Sequence, residues 1–586
     1  GVKITVKYYD KGKKTLGSDC YDWNMKTAIR WDYLFETANS DAIVYLLTGE
    51  TDYAVKAKRE LLYMLDDMRD TGVLFWMKYN KMPFDDGYGT VHMGRAMAGI
   101  CVMYDILRKA DGIISPEEDK LLREKIYFIA DYLGMRNEYY GEIKDRKHLY
   151  SGGNWTTNRY MGLAYFAMTF PEYERSKTYF LNAKIIIDDQ LKNWIMEEGI
   201  LPESARYHNA VLEHLTFYAL AVKRYDGTDY SKNERFKKMY EYLINTQLPE
   251  CEYHGGRISR PVFGDDRLGE GEMFVYFNAA SKLFRETDPD FADRMLTTWK
   301  KGGSRNSFGG LNGWLLEFLL IDIENTPMPE YKVPLKSMWY KNFGLATMRA
   351  SYRKDNDTAL SVVFTKNNTA HGHFDHGSFT FFTGGVPVSL DPCVESYWEN
   401  SLAWFRSSEA HSTVQFENRQ VPMESRPECF DTNEIRDYCR VVIKNPSGCG
   451  FHRRHIVLIK PVCAVVIYDE ITGFCGNTVF NLPVCSVESE IRENTVLSKG
   501  HFGVNLQTVV LLPENPKITM EKGAVAKGCI PSRTQEYIRV PSECGHLTAL
   551  LPYDDRPHEV IPYKNGYSID KKVYFEIPDL KEVKFC

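Results

Sequence analysis

The feature that most constrains the fold of this 586-residue chain is a change of hydrophobic periodicity near residue 330. Upstream, segments such as "DYAVKAKRELLYMLDDMRD" and "VLEHLTFYALAVKRY" repeat apolar side chains every three or four residues, the spacing of amphipathic helices. Ser115, Pro116 and Glu118 begin one of these segments with a capping box. Helices in series, separated by Gly or Asp-Gly, predict antiparallel hairpins packed side by side.

After the proline-rich "ENTPMPEYKVPL", short runs of β-branched and aromatic residues take over, such as "TALSVVFT" and "GSFTFFTGGVPVSL". Runs of this kind, separated by Gly, Pro and Asn, are typical of an antiparallel sandwich. We therefore predict an α+β multidomain protein. Its helical domain spans residues 1–330, and its antiparallel β-sandwich spans residues 331–586.

Composition and charge exclude several classes of protein. The chain is 44% hydrophobic and 26% charged, which supports a large buried core and argues against disorder. Its net charge of −6 provides no basic field for nucleic acid, although a local Arg/Lys cleft can still bind an acidic substrate. No apolar run approaches the ~20 residues of a membrane span, so we expect no membrane partner. The oligomeric state stays open, with a homodimer as one option.

Cysteine usage bears on the compartment. The chain has 13 cysteines and no C-x-x-C pair, and ten of the cysteines follow residue 390. Positions such as Cys463 resemble small apolar residues within strands, and disulfide frameworks belong mostly to short secreted chains. We expect free thiols and a cytoplasmic protein. A periplasmic or secreted protein whose signal peptide has been trimmed before Gly1 is the alternative.

The segment "HGHFDHGSF" concentrates imidazoles and a carboxylate within a few residues. In a strand, or in the residues that lead into one, His371, His373 and Asp375 point to one face, and Phe374 and His376 to the other. A single strand histidine usually makes surface hydrogen bonds. A cluster of this density favours a metal site, an acid–base site or both.

Two residues further along strengthen the metal interpretation. Asp391 follows the strand-like "VPVSL", and His411 follows "RSSEA". Two histidines and a carboxylate form a plausible site for Zn²⁺ or a similar ion.

In the helical half, polar residues precede two apolar helices. Asn154 follows a Gly-Gly turn, where it either caps a helix or donates its amide to a substrate carboxylate. Tyr207 and His208 lie in a polar stretch with Glu203 and Arg206; a packing role is the ordinary alternative for such a tyrosine.

The glycine-rich "RPVFGDDRLGEGE" adds Asp265 and Asp266, which can bind substrate or metal or cap the next helix. Trp155 is a candidate for stacking on a sugar face, with core packing as the alternative.

Taken together, "GGNWTTN", "ESARYH", "FGDD", "HGHFDHGSF", "GGVPVSLDP" and "WFRSSEAHST" resemble the heparinase II/III-like polysaccharide lyases over most of the chain. The resemblance implies an (α/α) toroid followed by an antiparallel β-sandwich. It also implies β-elimination on an anionic uronate polymer, glycosaminoglycans first and alginate or gellan second.

The resemblance further implies roles for individual residues. Asn154 and His371 neutralise the substrate carboxylate, and Tyr207 acts as base, acid or both. A structural divalent metal, zinc by preference, is held by His373, Asp391 and His411. Substrate contacts are expected from Trp155, Glu203, Arg206, Asp265 and Arg406.

The chain departs from this pattern at Trp155, because several members of the family have a histidine directly after the asparagine. The choice of base therefore stays open between Tyr207 and a histidine, His208 or His371. A tyrosine, with a reference pKa of ~10, becomes an effective base only near cations. Arg206 or Arg406 can supply that charge.

Other functions remain open at this point. A glycoside hydrolase needs two facing carboxylates, for which Glu203 and Asp265 or Asp266 are candidates. A uronate C5-epimerase shares the proton abstraction but returns the proton to the opposite face. An oxygenase with a cupin-like metal site and a non-catalytic glycan-binding protein are the more distant alternatives.

Overall fold

The computed structural model describes residue 35 and residues 37–68, 87–139, 153–268, 274–304, 335–365, 371–395, 401–417, 419, 424–446 and 448–585. The described first half is largely helical and the described second half is largely stranded, which confirms the predicted order of a helical and a β region. The predicted boundary at residue 330 lies outside the described residues.

The helices of the first half span residues 37–48, Thr51–Asp67, Gly87–Arg108, Pro116–Tyr139, Asn154–Thr169, Ser176–Asp189, Ala205–Tyr225, Glu234–Thr246, Phe277–Phe284 and Pro289–Lys301. The predicted capping box is present, since Ser115 Oγ accepts a hydrogen bond from the Glu118 amide and Glu118 accepts one from the Ser115 amide. Buried side chains from these helices form one continuous core. A short hairpin of β1 (Leu248–Cys251) and β2 (Arg257–Ser259) interrupts the helices, and the periodicity did not predict it.

The second half consists mainly of strands, with one short helix at Leu402–Arg406. The strands are β3 (Met338–Tyr340), β4 (Leu345–Ala350), β5 (Thr358–Val363), β6 (Phe379–Thr383), β7 (Val386–Ser389), β8 (Val414–Phe416), β9 (Ser425–Thr432), β10 (Arg436–Ile443), β11 (His452–Ile459), β12 (Ala464–Ile471), β13 (Thr478–Val484), β14 (Ser486–Arg492), β15 (Thr495–Gly500), β16 (Asn505–Leu512), β17 (Thr519–Ala524), β18 (Thr534–Ser542), β19 (His546–Tyr553), β20 (Val560–Tyr563), β21 (Gly566–Ile569), β22 (Val573–Glu576) and β23 (Val583–Phe585).

These strands form four antiparallel sheets. The largest has the order β14-β15-β16-β19-β12-β11-β10-β9. A five-stranded sheet, β3-β4-β5-β6-β7, and a four-stranded sheet, β17-β18-β13-β8, contribute side chains to a core that they share with this large sheet. The fourth sheet, β20-β21-β22-β23, shares a second core with it.

Strand β11 explains why the large sheet is buried on both sides. Ile456 and Leu458 belong to the first of these cores, whereas Val457 and Ile459 belong to the second. Side chains alternate between faces, so a strand covered on both faces is a continuous apolar run, as in "HIVLI". The sandwich therefore has a third layer at its C-terminal end.

The two halves pack directly against each other. Tyr340 and Leu345 from the β region join the helical core. Leu248 and Val262 from the first half share a separate buried cluster with Phe382. Functional residues from both halves can therefore meet in one rigid cleft.

Two further predictions can be compared with the structure. The eleven described cysteines are all free thiols, as expected. Among the described helices, none is long and apolar enough to cross a membrane.

Candidate active site

The histidine-rich segment is an irregular turn that leads into β6, where it meets the loop around Asp265 from the helical half. The Asp265 amide donates to the His371 carbonyl oxygen at 3.0 Å. Gly264 has a φ of +67°, and a side chain at this position would collide with the same carbonyl. The glycine of "FGDD" therefore permits the close approach of the two loops.

The carboxylate of Asp265 is fully buried and lies at the centre of the site. Its oxygens lie 3.0 Å from His371 Nδ1 and 3.0 Å from His373 Nε2. Arg406 donates to both oxygens, from Nη2 at 2.6 Å and from Nε at 3.2 Å. Burial alone would raise the pKa of Asp265, but these hydrogen bonds outweigh it and hold the pKa well below its usual range. In the structure the carboxylate is engaged by protein groups, and the predicted contact of Asp265 with substrate stays a prediction.

Tyr207 lies in the first turn of the helix Ala205–Tyr225, and its ring stacks on the imidazole of His371. The ring centroids are 3.6 Å apart and the planes are inclined by 13°. The stack joins a side chain of the helical half to one of the sandwich. The site therefore forms where the two halves meet, as ligand sites often do.

His208 follows Tyr207 in sequence but lies in the protein interior. Its Nδ1 accepts from the Leu201 amide at 3.1 Å, and its Nε2 lies 3.1 Å from the Met239 carbonyl oxygen. Burial lowers the pKa of His208 to about 4. The structure therefore does not bring His208 into the cleft, and the choice of base narrows to Tyr207 and His371.

Glu203 connects Asn154 with His371. One Glu203 oxygen accepts a hydrogen bond from the backbone amide of Asn154 at 3.4 Å, and the other lies 3.6 Å from His371 Nε2. Burial raises the pKa of Glu203, and the neighbouring His371 partly opposes this shift. In an apolar environment a carboxyl group of this kind favours its neutral form.

Asn154 is the first residue of its helix, and Gly153 holds the N-cap position, so Asn154 is not the cap. Its Nδ2 atom is buried and has no hydrogen-bond partner among the described residues. A buried amide without a partner is costly unless a ligand completes its hydrogen bonds. Asn154 therefore has a donor available for substrate.

A pocket opens beside His371 and draws its lining from both halves. Its polar lining includes Glu203, His371 and Asp375. Its apolar lining includes Met196, Tyr242, Phe263, Phe343, Leu345 and Val363.

The remaining candidates for substrate contact differ in exposure. Trp155, directly after Asn154, is 42% exposed. Arg206 is half-buried, and its charge acts on Asp266. The guanidinium of Arg406 is partly exposed, although Asp265 holds one edge of it.

A second cluster lies behind His371 and contains His373, Asp375 and His411. One potential ligand atom from each lies within 4.8 Å of the others. Asp265 contacts His373 Nε2, and Asp391 contacts His411 Nδ1 at 2.7 Å. The other ring nitrogens, His373 Nδ1 and His411 Nε2, are buried and lack a hydrogen-bond partner in the described part of the chain. Histidines that ligate a metal typically bind a carboxylate through the opposite nitrogen, so these residues fit a divalent cation.

The structure adds a carboxylate to the predicted ligand set. Asp375 lies with His373 and His411, with one potential ligand atom of each within 4.8 Å of the others. Asp391 contacts His411 Nδ1 at 2.7 Å, and its role as a ligand stays a prediction.

Arg454 supports this cluster and was not identified from the sequence. It is fully buried, and its guanidinium donates to both Asp469 oxygens at 2.6 and 2.9 Å. It also donates to the carbonyl oxygens of Gly377 and Ser412 at 2.7 and 2.6 Å. The pair therefore ties the segment after Asp375 to the segment after His411. An arginine beside the apolar run of β11, opposite an aspartate in β12, was the available signal.

Comparison with known proteins agrees with this architecture. The model named Heparinase II/III N-terminus matches residues 136–290, and the model named Heparinase II/III-like, C-terminal, matches residues 333–433. The chain therefore carries regions that match both domains of the heparinase II/III-like family. The two matched ranges contain every site residue that the sequence predicted. No curated protein matches the sequence.

Solved structures share the fold of this chain. A heparan sulfate lyase HepC mutant from Pedobacter heparinus is 16% identical, with a TM-score of 0.61 over 98% of this chain and 83% of that chain. A structure of heparinase III is 15% identical, with a TM-score of 0.67 over 90% of this chain and 80% of that chain. The fold is accordingly a helical (α/α) toroid followed by an antiparallel β-sandwich.

Proposed function

We propose that this heparinase II/III-like protein cleaves a uronic-acid-containing polysaccharide, a glycosaminoglycan first, by β-elimination. The observation that carries the proposal is the stack of Tyr207 on His371 in the cleft between the two halves, with Asn154 and Glu203 alongside. The names of the similar solved structures, heparan sulfate lyase and heparinase III, favour a glycosaminoglycan substrate.

The reaction removes the C5 proton of a uronate and expels the oxygen at C4, leaving a C4=C5 double bond. Ionisation beside a carboxylate builds up an enolate-like dianion, so the site must supply prearranged donors, often worth several kcal/mol per group. The side-chain amide N–H of Asn154 has no hydrogen-bond partner among the described residues. His371 Nε2 faces Glu203 at the cleft, at a distance of 3.6 Å. We assign both to the substrate carboxylate.

Glu203 suits the same task in its neutral form. Its carboxyl group lies between Asn154 and His371, and burial raises its pKa. A protonated carboxyl can donate a hydrogen bond to the substrate, whereas an ionised one would repel the uronate.

Tyr207 is the proposed base. When the C5 proton and the leaving oxygen lie on the same face of the sugar, the same phenol can transfer the proton from one to the other. When they lie on opposite faces, His371 is the second group within reach. Trp155, Arg206 and Arg406 are proposed to hold neighbouring sugars or their charged groups.

We further propose that His373, Asp375 and His411 hold a structural divalent metal, zinc by preference. Nitrogen and carboxylate donors of this type suit zinc, which when bound supplies positive charge and fixes its ligands. The turn that carries His371 also carries His373 and Asp375, so a rigid cluster keeps His371 aligned with Tyr207.

The rival hydrolase is less well supported. It requires two facing carboxylates, but Asp265 is buried against two histidines and Arg406, and Asp266 is buried against Arg260. Neither is available opposite Glu203.

The test is ultraviolet absorbance during incubation with heparan sulfate, heparin, chondroitin sulfates, hyaluronan, alginate and gellan. A rise on any polymer reports the conjugated double bond and names the substrate class. New reducing ends without absorbance would favour the hydrolase. Deuterium incorporation at C5 without cleavage would favour the epimerase.

A further inference from the structure

We propose that Asp265 is a positioning residue that sets the tautomers of both site histidines and so couples the metal cluster to the imidazole that meets the substrate. The proposal rests on the function proposed above, because it assigns His371 to the substrate and His373 to the metal. It adds a residue from the helical half to a site whose histidines belong to the sandwich.

The hydrogen bonds of Asp265 decide where the ring protons lie. Oδ2 faces His371 Nδ1 and Oδ1 faces His373 Nε2, each at 3.0 Å. Arg406 occupies the remaining acceptor positions of the two oxygens. An ionised carboxylate can only accept hydrogen bonds, so both imidazoles must carry a proton on the nitrogen that faces Asp265.

Asp265 therefore places the ring proton on different nitrogens of the two imidazoles. His371 carries it on Nδ1 and directs Nε2 to the cleft, where Glu203 lies 3.6 Å away. Nε2 donates to a substrate carboxylate in the doubly protonated ring, because a ring with a proton on Nδ1 alone offers only a lone pair there. His373 carries its proton on Nε2, and its Nδ1 has no hydrogen-bond partner among the described residues. One carboxylate thus prepares one ring for substrate and the other for a metal.

The backbone of Asp265 is anchored to both sides of the site. Its amide donates to the His371 carbonyl oxygen, and its own carbonyl oxygen accepts from Ser204 Oγ at 3.3 Å. Ser204 directly precedes the helix Ala205–Tyr225, which contains Tyr207. The Asp265 backbone therefore links His371 to the start of the helix that carries Tyr207.

Replacement by asparagine distinguishes positioning from simple packing. Asp265→Asn keeps the size of the side chain but substitutes an N–H donor for one acceptor. Each Asp265 oxygen meets one ring nitrogen and one Arg406 nitrogen. The new donor therefore faces one imidazole N–H whichever oxygen it replaces, and that ring must change its tautomer or its orientation. We expect metal affinity to fall about 10- to 100-fold, as for other residues that orient ligands. We expect kcat to fall by about 10²-fold or more, with KM changed little, because the tautomer of a catalytic ring is wrong.

The experiment compares Asp265→Asn with Asp357→Asn. Asp357 is a buried carboxylate whose oxygens accept hydrogen bonds from the backbone amides of Tyr352, Arg353 and Lys354. Each purified variant is saturated with zinc, its metal content is measured, and kcat and KM are determined on the polymer that the wild type cleaves. Loss of kcat at full occupancy in Asp265→Asn, but not in Asp357→Asn, supports the proposal. A wild-type kcat in Asp265→Asn, or an equal loss in Asp357→Asn, overturns it.

A second measurement is independent of activity and of whether Asp265→Asn folds. ¹⁵N spectra of the histidine-labelled wild-type protein report the proton on each ring nitrogen, and His371→Gln identifies the signals of His371. A proton on His371 Nδ1 supports the proposal, and an Nδ1 without one overturns it. If the wild type yields no unsaturated product on any polymer, the proposed function fails, and these spectra still decide the role of Asp265.

Discussion

Replacing Tyr207 with phenylalanine removes one oxygen atom from the site and leaves the ring. The phenyl ring can keep its stack on His371, whose centroid lies 3.6 Å from that of Tyr207, and its packing against the helical core. The free energy of unfolding should therefore change by no more than about 1 kcal/mol. Metal content should be unchanged, because Tyr207 is not part of the His373, Asp375 and His411 cluster.

The expected loss of activity follows from the role assigned to the phenol. General acid–base catalysis contributes typically about 10²- to 10⁴-fold, which corresponds to about 3–5 kcal/mol on the activation barrier. If Tyr207 both removes the C5 proton and protonates the leaving oxygen, the loss lies at the upper end or beyond. If His371 shares the work, the loss lies at the lower end.

The assay is initial-rate ultraviolet absorbance on the cleaved polymer, together with thermal melting and metal analysis. Tyr165→Phe is the matched control, since it also removes a phenol, one that donates to the Phe217 carbonyl oxygen at 2.9 Å inside the helical core. It should lower stability by about 1 kcal/mol and leave kcat intact. A Tyr207→Phe protein with full metal content and more than about a tenth of the wild-type kcat would refute the assignment of Tyr207 as base.

Three further predictions concern the metal, the buried acid and the buried ion pair. His373→Ala should lower zinc content and melting temperature together, because metal binding and folding are coupled. Burial raises the pKa of Glu203 above 4.5, so the stability linked to its protonated form is fully present below pH 4.5 and is lost as the pH rises through the raised pKa. Glu203→Gln should therefore gain stability relative to wild type across that interval. Arg454→Met should lower the free energy of unfolding by about 3–5 kcal/mol, because it leaves the buried Asp469 charge without the guanidinium of Arg454.

Each of these predictions has a contrary outcome. If His373→Ala contains no metal but melts at the same temperature as the wild type, metal binding does not contribute to the stability of the protein. A Glu203→Gln protein whose melting difference from wild type is constant with pH would show that Glu203 does not titrate in this interval. For the ion pair, Arg492→Met removes an exposed partner of Glu490 and should leave melting unchanged. An equal fall in melting temperature for Arg454→Met and Arg492→Met would contradict the argument that burial makes the Arg454–Asp469 pair important for stability.

The order of the two regions was predictable because it depends on residues close together in the chain. Helical periodicity, the capping box at Ser115 and Glu118, and the short apolar runs of strands such as β11 are properties of neighbouring residues. The density of imidazoles and carboxylates in "HGHFDHGSF" likewise indicated a site before any contact was known. The motifs that resemble a known family supplied Asn154, with its available amide.

The assembly of the site depended on contacts between residues far apart in the chain. Asp265 and His371 are separated by 106 positions, and Arg454 and Gly377 by 77. The resemblance to the family assigned Asp391 to the metal, and residue type made Asp265 a candidate for substrate contact. Neither kind of argument registers which lone pairs other groups have already taken. Only the packing of the toroid against the sandwich determines that Asp265 accepts hydrogen bonds from two imidazoles and that His373 Nδ1 is left without a partner among the described residues.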